Sequence, residues 1–235
     1  MSEKTTALVT GANKGIGYEI AAGLGALGLR VGVGARDEQR REDAVEKLRA
    51  AGVDAFGVPL DVSDDASVAA AAASLDRLDV LVNNAGITGG TPQDPTTVDL
   101  DLLRTVLETN VFGVIRTTNA LLPLLRRSPA PRIVNLSSSV GSLARQVAGQ
   151  AGPVAIGYSP SKTYLNAVTL QYVRELEGTN IKINLACPGY VATDLNGHRG
   201  HRTPQEGAAT AIRLATLPDD GPTGGFFDDA GPIPW

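Results

Sequence analysis

The stretch TGANKGIG at residues 10–17 follows an apolar β-rich run, Ala7 to Thr10, and opens a segment of helix formers. Glycines without a Cβ let backbone approach a pyrophosphate, and the amino end of a helix favours its negative charge. The spacing differs from the familiar G-x-G-x-x-G, so the strand–turn–helix context is what predicts a dinucleotide site. The predicted cofactor contacts in this loop are Gly11, Asn13, Lys14, Gly15, Ile16 and Gly17.

Short β-rich runs alternate with longer helical patterns along the rest of the chain. The strands are predicted at Ala7 to Thr10, Arg30 to Gly34, Ala55 to Val58, Val80 to Asn83, Arg132 to Leu136 and Ile181 to Ala186, with a weaker seventh at Phe226 and Phe227. Helices are predicted after Gly15, Asp37, Ser63, Thr97, Tyr158 and Pro204. The pattern predicts an α/β fold, a doubly wound parallel sheet of about seven strands with helices on both faces.

Bulk composition restricts the classes of function. The 235 residues contain no linker-like segment, which favours one domain over residues 1–235. A net charge of -4 and the lack of a basic run argue against nucleic acid or a membrane surface as partner. Cys187 is the only cysteine, and neither a secretory signal nor a membrane span is recognisable, so we expect a cytoplasmic protein.

Tyr158 and Lys162, in the run GYSPSK, lie four residues apart in a predicted helix and therefore share one face. A free phenol titrates near ~10 and a free lysine near ~10.4. A fixed cation stabilises a phenolate, so we expect Lys162 to lower the pKa of Tyr158 and to make it a working acid and base. The spacing alone also fits an exposed amphipathic turn.

Charges near the second predicted strand bear on the choice of cofactor. Ala35 occupies the place where an NAD site offers a carboxylate, and Arg36 follows it. Arg36 and Lys14, aimed at one 2′-phosphate, favour NADP(H). The alternative is that both are ordinary surface charges and Asp37 binds the ribose. Asp61 is expected to face the adenine; a cap of the next helix is the structural alternative, and the two are compatible.

Five motifs in this order resemble the short-chain dehydrogenase/reductase family, most closely its carbonyl reductase branch. They are TGANKGIG, NNAG at residues 83–86, NLSSS around Ser138, YSPSK, and PGYVAT at residues 188–193. ETNVFG, Arg36 and PGYVATD add to the likeness with that branch. The resemblance implies a single-domain Rossmann fold and hydride transfer between a nicotinamide and a carbonyl or alcohol carbon.

The resemblance also implies residue roles. Tyr158 would be the proton donor in reduction, and Lys162 would lower its pKa and hold the nicotinamide ribose. Ser138 would orient the substrate oxygen, and Asn110 would position water for a proton relay to Lys162. The structural alternatives are that Ser137, Ser138 and Ser139 form hydrogen bonds at a strand end, and that Asn110 caps or satisfies a bent helix. The further implied cofactor contacts are Asp61, Val62, Asn83, Ala85, Gly86, Pro188, Gly189, Val191 and Thr193.

Several matters stay open at the level of sequence. The separation of 20 positions from Ser138 to Tyr158 and the short stretch from Leu195 to Thr203 depart from common family members. Substrate contacts and homo-oligomer formation therefore stay open. His198 and His201 lack partners for a metal, so none is predicted. We expect NADPH-dependent reduction of a small ketone, aldehyde or quinone. The alternatives are a secondary alcohol dehydrogenase working oxidatively and a non-catalytic nucleotide sensor.

Overall fold

The computed structural model describes residues 4–90, 93–150 and 152–235. Its strands form one eight-stranded sheet in the order β3-β2-β1-β4-β5-β6-β7-β8, parallel except for the last pair. The strands are β1 (Thr6–Thr10), β2 (Arg30–Ala35), β3 (Ala55–Pro59), β4 (Val80–Asn83), β5 (Arg132–Leu136), β6 (Lys182–Ala186), β7 (Phe226–Asp228) and β8 (Gly231–Pro232).

Eight α-helices connect and cover these strands in the described residues. They are α1 (Gly15–Ala26), α2 (Glu38–Ala50), α3 (Asp65–Ala73), α4 (Leu100–Leu107), α5 (Gly113–Leu125), α6 (Leu143–Val147), α7 (Tyr158–Glu175) and α8 (Pro204–Ala215). A π-helical turn, Glu108–Phe112, joins α4 to α5, and 3₁₀ turns lie at Ser139–Gly141 and Asp194–Asn196. Within the described residues, no helix combines the length and apolarity needed to cross a bilayer.

The sheet reverses its winding direction next to β1. The chain runs outward from β1 to β2 and β3, and then crosses back to place β4 on the other side of β1. Val9 accordingly pairs with Val33 on one side and with Val82 on the other. In doubly wound sheets the ligand lies outside the carboxyl ends of the strands at such a switch point.

Alternating side chains of β1 enter two separate apolar cores, one on each face of the sheet. Val9 packs in the cluster that includes Ile20 of α1. Leu8 packs in the opposite cluster, which includes Leu121 of α5. Because successive residues of a strand point to opposite faces, a strand buried on both sides reads as a continuous apolar run. The prediction of a parallel sheet covered on both faces is confirmed.

The differences from the predicted elements are small. The seven predicted strands are present with ends shifted by one residue at most. Strand β8 and helix α6, of two and five residues, were not predicted because such short segments carry no periodic signal. Helices α3 and α4 begin at Asp65 and Leu100, slightly later than predicted.

Candidate active site

The loop between β1 and α1 needs its glycines. Gly11 and Gly15 have φ angles of 65° and 58°, in the left-handed region that favours glycine. A Cβ on Gly17 would lie 2.5 Å from the carbonyl oxygen of Gly11, so the loop and the first turn of α1 can approach closely only without it. These positions give the loop its tight path around the amino end of α1.

The amino end of α1 is open toward an anion. Its N-cap, Lys14, makes no side-chain capping bond, and the first turn contains no acidic residue. The first N–H groups of a helix have no partner within the helix, and they bind phosphate where nothing else caps them. The cradle formed by Gly11, Gly15 and this helix end therefore fits a dinucleotide pyrophosphate.

Asn84, the second asparagine of NNAG, fastens this loop to the end of β4. Its side-chain amide donates to the carbonyl oxygens of Thr10 and Gly11 at 2.8 and 3.2 Å. The hydroxyl of Thr10 in return accepts from the backbone N–H groups of Asn84 and Ala85 at 3.0 and 2.9 Å. Sequence reasoning missed Asn84, although its place inside NNAG was a signal.

The side chain of Asn83 turns into the protein interior. It is buried and donates to Thr118 Oγ1 at 3.2 Å and to Asn135 Oδ1 at 2.9 Å. Asn135 in turn donates to the hydroxyl of Thr169 at 2.9 Å, which ties β4 and β5 to α7. Only the backbone of Asn83 is left to shape a cofactor floor.

The two cations expected at the 2′-phosphate each have an acidic partner in this structure. Lys14 Nζ lies 2.5 Å from Asp194 Oδ2, and Arg36 Nη1 lies 3.9 Å from Asp61 Oδ2. All four side chains are partly or largely exposed. Exposed ion pairs are weak, so both cations can be released to an incoming phosphate.

Asp61 is ordered by Ser63, whose N–H and hydroxyl donate to its carboxylate at 2.9 and 2.6 Å. Burial acts to raise the pKa of Asp61, but these bonds together with Arg36 and Arg116 outweigh it, and the pKa is lowered. The alternative of a helix cap is wrong because Asp64 caps α3.

Asp37 and Val62 both have structural partners. Asp37 is the N-cap of α2 and accepts from Arg40 N at 2.9 Å, so the competing ribose ligand already has a capping role. Val62 is buried, and its carbonyl oxygen accepts from Arg116 at 2.8 Å. A Cβ added to Gly113, the first residue of α5, would lie 2.9 Å from Val62 Cγ2, so the Val62 side chain packs closely against the start of α5.

Asn110 lies in the π-helical turn and is fully buried. Its side-chain amide exchanges two hydrogen bonds of 2.9 Å with the backbone of Ile87 and donates to Ser161 Oγ at 3.0 Å. The amide thus bridges to the loop after β4 and to α7. A Cβ on Gly86 would lie 3.2 Å from Asn110 Oδ1 and 3.7 Å from Lys162 Nζ, so this glycine leaves space beside the two groups expected in the relay.

Lys162 is buried, and its ammonium donates to the carbonyl oxygen of Leu136, at the end of β5, over 2.7 Å. The same ammonium lies 5.7 Å from the centroid of the Tyr158 ring. Burial lowers the pKa of Lys162 to about 8, although the Cys187 thiol acts in the opposite direction. Lys162 is therefore close to its titration point near neutral pH.

Tyr158 is partly exposed as a residue, whereas its hydroxyl is surrounded by protein groups. Burial, and then the electrostatic interaction with Cys187, raise the pKa of Tyr158 to about 12, and the side chain of Ser138 acts in the opposite direction. The expected net lowering of the Tyr158 pKa is wrong for this structure, because desolvation of the phenolate outweighs the effect of the neighbouring groups. The phenol is protonated at neutral pH.

Ser138 reaches Tyr158 from the end of β5. Besides its bond with Tyr158, its hydroxyl accepts from Val140 N at 3.5 Å. The neighbouring Ser137 is buried and donates to Asn166 Oδ1 at 2.6 Å. The structure thus brings the hydroxyls of Ser138 and Tyr158 together, where both can donate to one substrate oxygen.

The loop after β6 lies against the glycine loop. A Cβ on Gly15 would fall 3.5 Å from Thr193 Cγ2, so the two segments meet. Val191 is buried, and Gly189 has a φ of 77°. Pro188, Gly189, Val191 and Thr193 therefore lie on a loop that adjoins the cradle, in keeping with contacts to the carboxamide end of a dinucleotide.

Comparisons with known proteins agree with this geometry. The family described as short chain dehydrogenase matches residues 5–203. The chain is 35% identical to Short-chain dehydrogenase/reductase 1 of Saponaria officinalis, over 97% of this chain and 95% of that one. It is 33% identical to Carbonyl reductase [NADPH] 1 of Mus musculus, over 100% and 99%. The NADPH-bound carbonyl reductase from chicken fatty liver superimposes with a TM-score of 0.86 at 29% identity, covering 99% of this chain and 100% of that one.

Proposed function

The chain belongs to the short-chain dehydrogenase/reductase family of oxidoreductases, which bind a nicotinamide cofactor, and we propose that it reduces a ketone, aldehyde or quinone carbonyl with NADPH. The observation that carries the proposal is the buried ammonium of Lys162, which is held by Leu136 O and lies 5.7 Å from the centroid of the Tyr158 ring, with the side chain of Ser138 acting on the same phenol. A substrate carbonyl oxygen that accepts from the hydroxyls of both Ser138 and Tyr158 would be held at a defined point beside the first turn of α7.

The chemistry follows from where charge develops. The reduced nicotinamide, when bound, supplies a hydride to the carbonyl carbon. Negative charge then grows on the carbonyl oxygen, and two donors converging on that oxygen lower the barrier. Tyr158 gives its proton to this oxygen to complete the alcohol. Lys162, held by Leu136 O, keeps positive charge beside the phenol as the proton leaves.

The proposed direction is reduction. A general acid must carry its proton at working pH, and a Tyr158 with a pKa of about 12 does so. An alcohol dehydrogenase working oxidatively needs the phenolate, which burial disfavours. The protonated phenol is in keeping with reduction, and because a catalyst lowers the barrier in both directions, a comparison of the forward and reverse rates tests the oxidative alternative.

The choice of NADP(H) rests on cations near the cradle. Lys14 and Arg36 are available for a 2′-phosphate once they leave their exposed acidic partners. Ala35 offers no carboxylate to the ribose, and Asp37 is engaged as a helix cap. The Mus musculus relative is named as an NADPH enzyme, and the chicken structure is described as NADPH-bound. These observations support NADP(H) in this chain.

Large apolar side chains are exposed on segments that follow the carboxyl ends of β5 and β6. Leu143 is on α6, while Tyr190 and Leu195 are on the loop after β6, and each is more than two-fifths exposed. Exposed apolar groups beside a ligand site favour apolar ligands. We propose a small apolar carbonyl compound as substrate, and homo-oligomer formation stays a prediction.

The first test is a screen of the purified protein against ketones, aldehydes and quinones of graded polarity, with NADPH and with NADH. We expect loss of NADPH absorbance, highest with apolar carbonyl compounds, and slower loss with NADH. Tight NADPH binding without turnover of any compound would contradict the reductase and favour the nucleotide-sensor alternative.

The second test addresses the cofactor. Arg36→Ala should raise the KM for NADPH by about tenfold, because a charge-assisted bond to phosphate is lost, and should leave the KM for NADH unchanged. Arg104→Ala, which removes an exposed arginine on α4, is the matched control. An equal effect of Arg36→Ala on both cofactors would contradict the phosphate assignment.

A further inference from the structure

Gln93 is a buried amide that joins two backbone segments next to Tyr158. Its side chain donates to the carbonyl oxygens of Thr88 and Gly90 at 2.5 and 2.9 Å. Its side-chain oxygen accepts from the N–H groups of Gly157 and Tyr158 at 2.8 and 3.2 Å. Gln93 is only 2% exposed, and both N–H donors and both acceptor positions of its amide form hydrogen bonds within the protein.

The surroundings are fitted to a glutamine. Two carbonyl oxygens stand at one end of the amide and two N–H groups at the other, which fixes its orientation. A Cβ on Gly89 would lie 3.0 Å from Gln93 Nε2, and a Cβ on Gly157 would lie 3.0 Å from Gln93 Oε1. Both glycines therefore leave space for the amide. A carboxylate would set a negative oxygen against two carbonyl oxygens, which costs free energy in a buried site.

Gln93 supplies the cap that α7 lacks. The N-cap residue of α7, Gly157, makes no side-chain capping bond, and the first turn contains no acid. The first N–H groups of a helix need an external acceptor. Gln93 provides this acceptor to the N–H of Tyr158, which is both the first residue of α7 and the proposed proton donor.

We propose that Gln93 is a positioning residue, whose amide fixes the first turn of α7 and the hydroxyl of Tyr158 relative to the loop that follows β4. The inference rests on the proposed function, since it assigns a role in placing the proton donor. Gln93 touches neither reacting atom and acts through Tyr158.

A second chain of bonds holds the same turn from the other side. Asn110 binds the backbone of Ile87 and donates to Ser161 Oγ, which donates to the carbonyl oxygen of Tyr158 at 2.6 Å. The helix therefore stays formed without Gln93. What is lost is the restraint on the Tyr158 N–H, so the expected consequence is a misplaced phenol rather than an unfolded helix.

The central experiment compares Gln93→Leu with Asn184→Leu. Asn184 is a buried amide of the same kind, which donates to Pro222 O and accepts from Gly225 N on the far side of β6. Gln93→Leu should lower kcat by roughly 10- to 100-fold, as small misplacements of catalytic groups do, with unchanged NADPH affinity. Asn184→Leu should lower the melting temperature and leave kcat unchanged.

Gln93→Glu is the conservative partner and gives a pH signature. When protonated, the introduced carboxyl regains a donor toward Thr88 and Gly90 while its other oxygen accepts from α7. Its kcat, relative to that of the unsubstituted protein, should therefore rise as pH falls. The positioning role is overturned if Gln93→Leu lowers the melting temperature but leaves kcat unchanged. It is also overturned if the kcat of Gln93→Glu is the same fraction of the unsubstituted protein's kcat at every pH.

Hydrogen exchange separates this inference from the proposed function. The amide protons of Gly157 and Tyr158 should exchange faster in Gln93→Leu, and unchanged exchange would overturn the inference even without a known substrate. Failure of the unsubstituted protein to reduce any carbonyl compound would defeat the proposed function instead.

Discussion

The glycine loop at residues 10–17 and the first turn of α7 both line the carboxyl edge of the sheet, but different forces hold them. Around the glycine loop the charged groups are exposed, and the pairs Lys14–Asp194 and Arg36–Asp61 lie where water and salt screen them. Such pairs exchange partners at little cost in free energy. This half of the edge is suited to admitting and releasing a charged cofactor.

The catalytic half is buried and bonded mainly to backbone. Lys162 donates to Leu136 O, and Asn110 bonds both backbone groups of Ile87. A buried polar group that loses its partner costs its full desolvation, so these side chains cannot easily rearrange. We therefore expect cofactor preference to be the adaptable property of this edge and the proposed acid–base geometry to be the fixed one.

The sharpest test of the fixed half is Tyr158→Phe. We expect kcat to fall by roughly 10²- to 10⁴-fold, because the proton donor is removed while the ring keeps its shape. NADPH affinity, measured by fluorescence titration, should stay unchanged. Tyr164→Phe is the matched control, since Tyr164 is exposed on the same helix. Full activity of Tyr158→Phe would contradict the proposed mechanism.

The pH dependence of reduction tests the electrostatics of this half. The pKa of Lys162 is lowered to about 8, so the ammonium is present below that pH and is lost as pH rises through it. Tyr158 stays protonated over the same range. We expect kcat/KM to be constant at lower pH and to fall several-fold above about 8. NMR titration of Lys162 checks the assignment, and a kcat/KM that stays level through this pH would contradict it.

Much of this molecule is predictable from sequence because its signals are periodic or local. The alternation of strands and helices predicted the sheet. The glycines predicted the tight turn, since Gly11 and Gly15 adopt left-handed φ angles and a Cβ on Gly17 would lie 2.5 Å from Gly11 O. The order of the motifs also identified the family, which the match over residues 5–203 confirms.

What could not be predicted depends on burial and on distant contacts. The pKa of Tyr158 was expected to be lowered by a neighbouring cation, but desolvation, which sequence spacing does not reveal, raises it. Gln93 looks like an ordinary polar residue in a loop, and only the fold brings it to α7. The interior position of Asn83 likewise depends on Asn135 in the neighbouring strand.

The smallest expected effect tests the adaptable half through Asp194→Asn. Replacing this carboxylate by a neutral amide removes the ion pair with Lys14 and also weakens the interaction with His198. Because an exposed ion pair is worth little, NADPH affinity should rise by no more than about fivefold, and less at high salt. Asp54→Asn breaks a comparable exposed pair with Lys4 and should leave NADPH affinity unchanged. Weaker NADPH binding in Asp194→Asn would mean that Asp194 helps to hold the lysine in place for the phosphate, and the exposed pairs would then be part of the cofactor site rather than competitors for it.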